Sequence, residues 1–268
     1  MRFLPYKWQD DEASLHKLAE NYGDVRPLVP NIKDAYESYV TTKGSPYLKA
    51  IGLPQSVTNA FHRAYRSKNK NMGLCWIKAV LDHSLTACPM CGAGSATTVE
   101  HYLPKTPFPE FSVYSYNLLP SCSTCNSKRG AVNKNGVEHR LLHPFFDQAI
   151  YEKLRLTTNI NFKKGVVKYA LSFNRSAFSL TDIDRIEHHF EKCVNRKAFR
   201  SETSAFAKLA KQQVSRCRTS SRSKIKFQAN LTDLEKIGSG NSWLAALYRG
   251  LLALKVADLD EFLTTANI

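Results

Sequence analysis

The sequence has no hydrophobic run long enough to cross a membrane. The longest apolar candidate, residues 243–254, is interrupted by Arg249, whereas a membrane-spanning helix needs roughly 18 or more apolar residues. The first residues, MRFLPYKWQDDE, lack the apolar segment of a signal peptide. We also find no internal repeat, no long low-complexity tract, no recognition-helix motif and no nucleotide-binding loop ending in Lys-Ser/Thr. We therefore expect neither a secreted nor a membrane-spanning protein.

Acidic residues are scarce relative to basic ones. The chain has 268 residues, with 23 Asp and Glu against 38 Lys and Arg, which gives a net charge of +15. Such an excess indicates an anionic partner, and nucleic acid is the obvious one; the alternative is a generic basic surface. The length allows one large domain or two small ones, and 43% hydrophobic residues suffice for a real core.

Four of the seven cysteines form two Cys-x-x-Cys pairs, Cys88/Cys91 and Cys122/Cys125. Paired two-residue spacings are typical of zinc sites, in which four thiolates surround Zn²⁺ tetrahedrally. The alternatives are ordinary core cysteines or two disulfides. A zinc ion with four cysteine ligands is structural, because no coordination position stays open. The remaining cysteines are unpaired in sequence, which together with the zinc site predicts a reducing cytoplasm.

Residues between and beside the two pairs carry candidate catalytic chemistry. His101 follows Thr-Thr-Val-Glu, a stretch with strand character, and prolines at 104, 107 and 109 predict a loop after it. A second strand is predicted over 113–119 and a helix near Cys125. Glu100 and Asn126 then offer oxygen ligands for a hard cation such as Mg²⁺ or Mn²⁺, with His101 as a base beside that cation.

The stretch from Cys88 to Arg129 resembles the HNH endonuclease family, with its ββα-metal motif and four-cysteine zinc support. Glu100-His101 matches the acidic-His pair of the family, Asn117 matches the central Asn, and Asn126 matches the third position. The resemblance implies that His101 activates water, that Glu100 and Asn126 hold the metal, and that Asn117 braces the loop that aims His101. The family often has Asp where Glu100 stands, so Glu100 could contact the metal through a water.

Two longer sequence segments, VEHYLPK and HPFFD, are similar to segments of the HNH nucleases of Septu-type and retron-linked bacterial anti-phage defence systems. In those systems the nuclease works beside an ATPase, so the resemblance implies a regulatory protein partner of that class. It also implies DNA rather than RNA as the substrate, although no residue excludes RNA.

Residues near the motif and in the second half of the chain carry further candidate roles. Lys105, Lys128 and Arg129 are predicted to contact the phosphates that flank the scissile bond. His143 lies in a proline-stiffened loop close to the motif, and it is a candidate additional ligand of the catalytic metal; the alternative is local packing. The adjacent His188 and His189 are predicted to lie on the surface. The strongly basic stretch 196–226 is either a helix along a nucleic-acid backbone or a solvated helix followed by a flexible loop.

The pattern predicts an α+β fold: a small zinc-braced ββα-metal core over 87–147, a helical region over 1–86, and a hairpin with basic and apolar helices over 148–268. N-terminal helices are predicted at 11–22, 32–40, 54–65 and 72–83, and hairpin strands at 154–161 and 166–173. The apolar helix 243–262 is either buried core or a docking surface for the partner protein.

Two other functions stay open on the sequence alone. The first is a zinc-ribbon module that binds nucleic acid and has lost catalysis. The second is a toxin-like nuclease that a partner holds silent. The presence of Glu100, His101 and Asn126 together favours an active enzyme, because a module that only binds has no need of all three.

Overall fold

The computed structural model of this chain describes residues 1–6, 9–68, 70–81, 85–128, 140–163 and 166–265. These residues form helices and two small antiparallel sheets, so the predicted α+β class is confirmed. The backbone divides into two compact units. One unit comprises Phe3–Leu85 and Ser95–Gln148, and the other comprises Met1–Arg2, Thr86–Gly94 and Ala149–Ile268. The predicted division at residues 86 and 147 stays a prediction.

The first of these units contains the strands and helices around residue 100. Its elements are α1 Asp11–Asn21, α2 Val29–Thr41, α3 Gln55–Ser67, α4 Trp76–Ala79, β1 Thr98–His101, β2 Leu118–Ser121 and α5 Ser123–Lys128. The side chain of Asp10 caps α1 by accepting a hydrogen bond from the Ala13 N–H at 2.7 Å. Strand β1 pairs antiparallel with β2, and His101 lies opposite Leu118.

Two sequence predictions in this unit were wrong in their bounds. The strand predicted at 113–119 begins at Leu118, because residues 115–117 form a turn of 3₁₀ helix that leads into it. Of the helix predicted at 72–83, the described residues are α-helical only over Trp76–Ala79. Gly73 has a φ of +65°, which interrupts a helix there. The end of that predicted helix, including His83, lies outside the described residues.

The second unit is built on the predicted hairpin. Its elements are α6 Gln148–Lys153, β3 Leu156–Lys163, β4 Val166–Phe173, α7 Leu180–Cys193, α8 Arg196–Val214, α9 Ser220–Lys236, α10 Trp243–Ala253 and α11 Val256–Thr264. The strands pair from Leu156 opposite Phe173 to Lys163 opposite Val166. The basic stretch forms α8 and α9, and the loop predicted near residue 220 is instead the start of α9, which Thr219 caps.

The apolar C-terminal stretch forms two helices rather than one. Helix α10 ends at Ala253, where the Lys224 ammonium donates hydrogen bonds to the carbonyls of Leu252 and Leu254 at 3.0 and 2.6 Å. Carbonyls at a helix end lack partners within the helix, so a lysine there stabilises the termination. Most of α10 is buried against β3, α8 and α9. Core packing within this unit therefore accounts for the apolar composition of α10.

Gly250 lets α10 lie close to the hairpin. A Cβ atom at this position would stand 2.2 Å from the carbonyl oxygen of Thr158, which is backbone and cannot give way easily. The helix can approach β3 so closely only because residue 250 has no side chain. No helix among the described residues is long and apolar enough to cross a membrane.

We predict that Gly250→Ala destabilises the protein, although Ala is favoured over Gly inside a helix by about 1 kcal/mol. The added methyl group collides with the Thr158 carbonyl, and overpacking of this kind costs roughly 1–3 kcal/mol. Urea unfolding followed by circular dichroism measures the change. Gly23→Ala is the matched control, since nothing lies within 4 Å of a Cβ there. A G250A protein as stable as the wild type would contradict the close packing of α10 on β3.

Candidate functional site: a cysteine cluster and a histidine at a strand end

The four paired cysteines come together. Cys88, Cys91, Cys122 and Cys125 are buried, and their sulfur atoms all lie within 4.8 Å of one another. Thiolates arranged tetrahedrally about zinc at 2.3 Å would be separated by roughly 3.8 Å, so the cluster fits this ion. All seven cysteines lie in the described ranges, and none forms a disulfide there. These four cysteines can therefore bind zinc, as the spacing predicted.

A tight turn presents the first pair. The Gly92 N–H donates to the Cys88 carbonyl at 2.9 Å, and the Ala93 N–H donates to the Cys91 sulfur at 3.4 Å. Hydrogen bonds to sulfur favour the thiolate, which is the form that binds a metal. Gly92 has a φ of +80°, and a Cβ atom there would stand 2.5 Å from the Asn241 carbonyl oxygen. Glycine is thus required at this corner of the turn.

Side chains distant in sequence hold the carbonyls of this turn. His189 donates from Nε2 to the Met90 carbonyl at 2.6 Å, and Trp243 donates from Nε1 to the Cys91 carbonyl at 2.8 Å. The prediction that His189 lies on the surface was wrong, because this residue is fully buried. The sequence does indicate this burial, because His189 shares the apolar face of α7 with Ile186 and Cys193.

The second pair lies where β2 passes into α5. The Cys125 N–H donates to the Cys122 sulfur at 3.4 Å, and the Asn126 N–H donates to the Cys122 carbonyl at 3.1 Å. Cys122 thus serves as the N-terminal cap of the short helix while its sulfur belongs to the cluster. This arrangement fixes the start of α5 relative to β2.

Strand β1, strand β2 and helix α5 form a compact ββα unit. Glu100 and His101 are the last residues of β1, and both are half-buried. Helix α5 packs against β1 and carries Asn126, which is also half-buried. The unit therefore brings the elements that carry Glu100, His101 and Asn126 together, in the order that the sequence predicted.

The ring of His101 is held from two sides. Its Nε2 lies 3.0 Å from the carbonyl oxygen of Ser112. A carbonyl only accepts hydrogen bonds, so Nε2 carries the proton and the lone pair of the neutral ring lies on Nδ1. The ring of Tyr65, on α3, contacts the imidazole with the ring centroids 4.4 Å apart and the planes inclined by 60°. These contacts select one tautomer and one orientation of His101.

Asn117 is fully buried and fastens the loop that follows His101. Its Oδ1 accepts from the Leu103 N–H at 2.6 Å, and its Nδ2 donates to the carbonyls of Leu103 and Phe111 at 3.0 and 3.1 Å. The Asn117 carbonyl also accepts from the Tyr102 N–H at 2.8 Å. One side chain thus joins the start and the end of the loop that supplies the Ser112 carbonyl.

His143 lies in the network behind Asn117 and is fully buried. Its Nδ1 accepts from the Phe145 N–H at 3.2 Å, so the neutral ring carries its proton on Nε2, 3.3 Å from the Tyr39 hydroxyl. That hydroxyl in turn donates to Asn117 Oδ1 at 3.0 Å. Metal binding by His143 would break one of these hydrogen bonds, so its assignment as a ligand stays a prediction without support from this geometry.

Lys105 is half-buried in the loop after β1, and its ammonium lies 5.1 Å from the centroid of the Tyr65 ring. The side chain of Lys128, and Arg129 as a whole, lie outside the described residues. No local sequence pattern marks Tyr65 as a site residue. Burial raises the pKa of its hydroxyl, and the negative charge of Glu100 raises that pKa further, so Glu100 lies near the same ring.

Comparison with known proteins gives two partial similarities. Over 130 residues the chain is 31% identical to Protein ea31 of Escherichia phage lambda, a match that covers 47% of this chain and 43% of that protein. Over 94 residues it is 32% identical to Septu protein PtuB of Bacillus thuringiensis, covering 31% of this chain and 37% of that protein. The chain thus spans less than half the length of these relatives. No protein-family profile and no solved structure matches it.

We predict that each chain binds about one zinc ion tightly. Cys122→Ser is expected to lower both the zinc content and the melting temperature of the protein, because zinc binding is coupled to folding. Elemental analysis and thermal unfolding measure the two effects. Cys75→Ser is the matched control, since Cys75 is exposed and outside the cluster. Freshly purified wild-type protein without zinc would refute the assignment.

Proposed function

We propose that this chain is a metal-dependent endonuclease of the HNH type that hydrolyses phosphodiester bonds, with His101 as the general base. The observation that carries the proposal is the state of His101. At the end of β1, a backbone carbonyl holds Nε2 in its protonated form, which leaves a basic lone pair on Nδ1. A general base needs both a fixed orientation and this tautomer.

The reaction follows from that tautomer. A water molecule gives a proton to Nδ1 of His101, and its oxygen forms a new bond to phosphorus. The bond between phosphorus and the 3′ oxygen breaks, and the leaving oxygen takes a proton from solvent. The Ser112 carbonyl stabilises the imidazolium that forms, because it accepts a hydrogen bond from Nε2.

Glu100 and Asn126 are the proposed holders of a catalytic Mg²⁺ or Mn²⁺. A carboxylate and an amide oxygen are ligands that these hard cations prefer, and the packing of α5 against β1 supports the pairing. When bound, such an ion neutralises negative charge on the phosphate and on the leaving oxygen. Glu100 would also keep the ion beside His101, its neighbour in sequence.

We propose DNA as the substrate and anti-phage defence as the biological role. The net charge of +15 favours an anionic polymer, and the similarity to Septu protein PtuB supports a defence-related nuclease. A regulatory partner, with an ATPase as the class that the defence resemblance implies, remains part of the proposal. Because α10 is buried, the surface for such a partner would have to lie elsewhere than on that helix.

The competing function is a zinc-ribbon module that binds nucleic acid without cutting it. The four-cysteine cluster and the basic charge are equally compatible with that function. The contacts that orient His101 favour the enzyme, because a module that only binds gains nothing from fixing one tautomer of an imidazole.

We predict that His101→Ala lowers the cleavage rate by about 10²–10⁴-fold, the usual contribution of a general base, and leaves the melting temperature nearly unchanged. Plasmid cleavage in Mg²⁺, followed on gels, measures the rate. His16→Ala is the matched control, because His16 is exposed on α1. An H101A protein that cuts as fast as the wild type would remove His101 from the mechanism, and nucleic-acid binding with no cleavage by the wild type would favour the binding module.

A further inference from the structure

The segment that contains α3 is free of acidic residues. From Ser38 to Leu81 the sequence has no Asp or Glu, and its basic residues are Lys43, Lys49, Arg63, Arg66, Lys68, Lys70 and Lys78. Arg63 and Arg66 are exposed on α3, and Lys70 is exposed just beyond it. The positive charge on and just beyond α3 is not neutralised by acidic residues within the segment, so this part of the surface attracts anions.

Two of the lysines near α3 lie beside the ring that touches His101. The ammonium groups of Lys68 and Lys105 lie 4.9 and 5.1 Å from the centroid of the Tyr65 ring. Among the described residues, neither ammonium forms an ion pair with a carboxylate. A cation–π contact of a half-buried ammonium is worth about 0.5–2 kcal/mol. A hydrogen bond to a charged group is worth about 1.5–3 kcal/mol, so a phosphate can compete with the ring for both ammonium groups.

The backbone holds both lysines in place. Lys68 ends α3 with a φ of +44°, a left-handed conformation that glycine adopts far more easily. On the other side, Nε2 of His62, on α3, lies 3.1 Å from the Lys105 carbonyl oxygen and ties the Lys105 loop to the helix.

We propose that Lys68 and Lys105, spaced by the Tyr65 ring, form a phosphate-binding subsite that holds the nucleic-acid backbone next to the phosphodiester attacked at His101. Tyr65 is the positioning residue of this subsite, because the same ring contacts the imidazole and both ammonium groups. The inference rests on the proposed nuclease function and adds α3 to the site.

The subsite also offsets an unfavourable charge. Glu100 is close enough to Tyr65 to raise the pKa of its hydroxyl, after burial as the larger cause, and a carboxylate repels an approaching phosphate. Two ammonium groups around the same ring supply the compensating positive charge. The two ammonium groups therefore offset the repulsion between the Glu100 carboxylate and a backbone phosphate that approaches His101.

The double variant Lys68→Gly/Lys105→Ala tests the subsite through the salt dependence of binding. Glycine at 68 removes the side chain and suits the left-handed backbone, so the fold should be kept. The matched control is Lys43→Gly/Lys49→Ala, since Lys43 has a φ of +55° and both lysines are exposed. Each variant removes two positive charges. A difference in binding between the two variants therefore reflects where the lysines lie and not the change in net charge.

Binding of a labelled DNA duplex is measured over a range of salt concentrations without added divalent cations. Each phosphate contact contributes about 0.9 to the slope of log K against log salt. We expect the K68G/K105A slope to be shallower by up to about 1.8 and the control slope to match the wild type. Equal slopes for the two variants would overturn the subsite, even if the wild type cuts DNA. If the K68G/K105A slope is shallower but the wild type never cuts DNA, the result would support the subsite and contradict the proposed nuclease function.

Tyr65 is tested by comparing Tyr65→Phe with Tyr65→Leu. Phenylalanine keeps the ring and its contact with His101, whereas leucine removes the ring. We expect Y65F to cleave like the wild type and Y65L to lose up to about 10²-fold in kcat, the cost of misplacing a catalytic group, with a smaller change in KM. Equal kcat values for Y65L and Y65F would show that the ring does not position His101.

Discussion

The buried amide of Asn117 is the interaction on which the arrangement around His101 depends. Its side chain joins both ends of the loop that follows β1, and that loop supplies the Ser112 carbonyl that fixes the His101 tautomer. A buried polar group left without partners costs roughly 1–3 kcal/mol. Losing this amide would remove the partners that it gives to the N–H and the carbonyl of Leu103, which disfavours other conformations of the loop.

The network continues behind Asn117 with consistent hydrogen-bond directions. His143 donates to the Tyr39 hydroxyl, which donates to Asn117, which donates to the Phe111 carbonyl. Each group therefore fixes the orientation of the next, and such chains rigidify a core when every member is satisfied. Cys122 adds a second restraint, because it belongs to the cysteine cluster and caps α5. Fixed positions of this kind are what a preorganised site requires.

The parts of this structure that could be predicted from the sequence are those with fixed local spacing. The Cys-x-x-Cys pairs predicted the cluster, and alternation of apolar residues predicted the hairpin to within two residues. The beginning of β2 could not be predicted, because residues 113–117 have strand-like composition but bend to bury Tyr114 and Asn117. Tyr65 and His189 could not be assigned either, since their roles come from partners 36 and 99 residues away in sequence. Local patterns carry no information about contacts of that range.

We propose that this chain hydrolyses nucleic acid with a divalent cation bound beside His101. The most direct measurement incubates the purified, zinc-loaded chain with DNA and RNA, each single- and double-stranded, in Mg²⁺ and then in EDTA. We expect cleavage of DNA in Mg²⁺ and its loss in EDTA. Intact substrates in Mg²⁺ with a folded, zinc-loaded chain would contradict the claim, and so would cleavage that EDTA does not reduce.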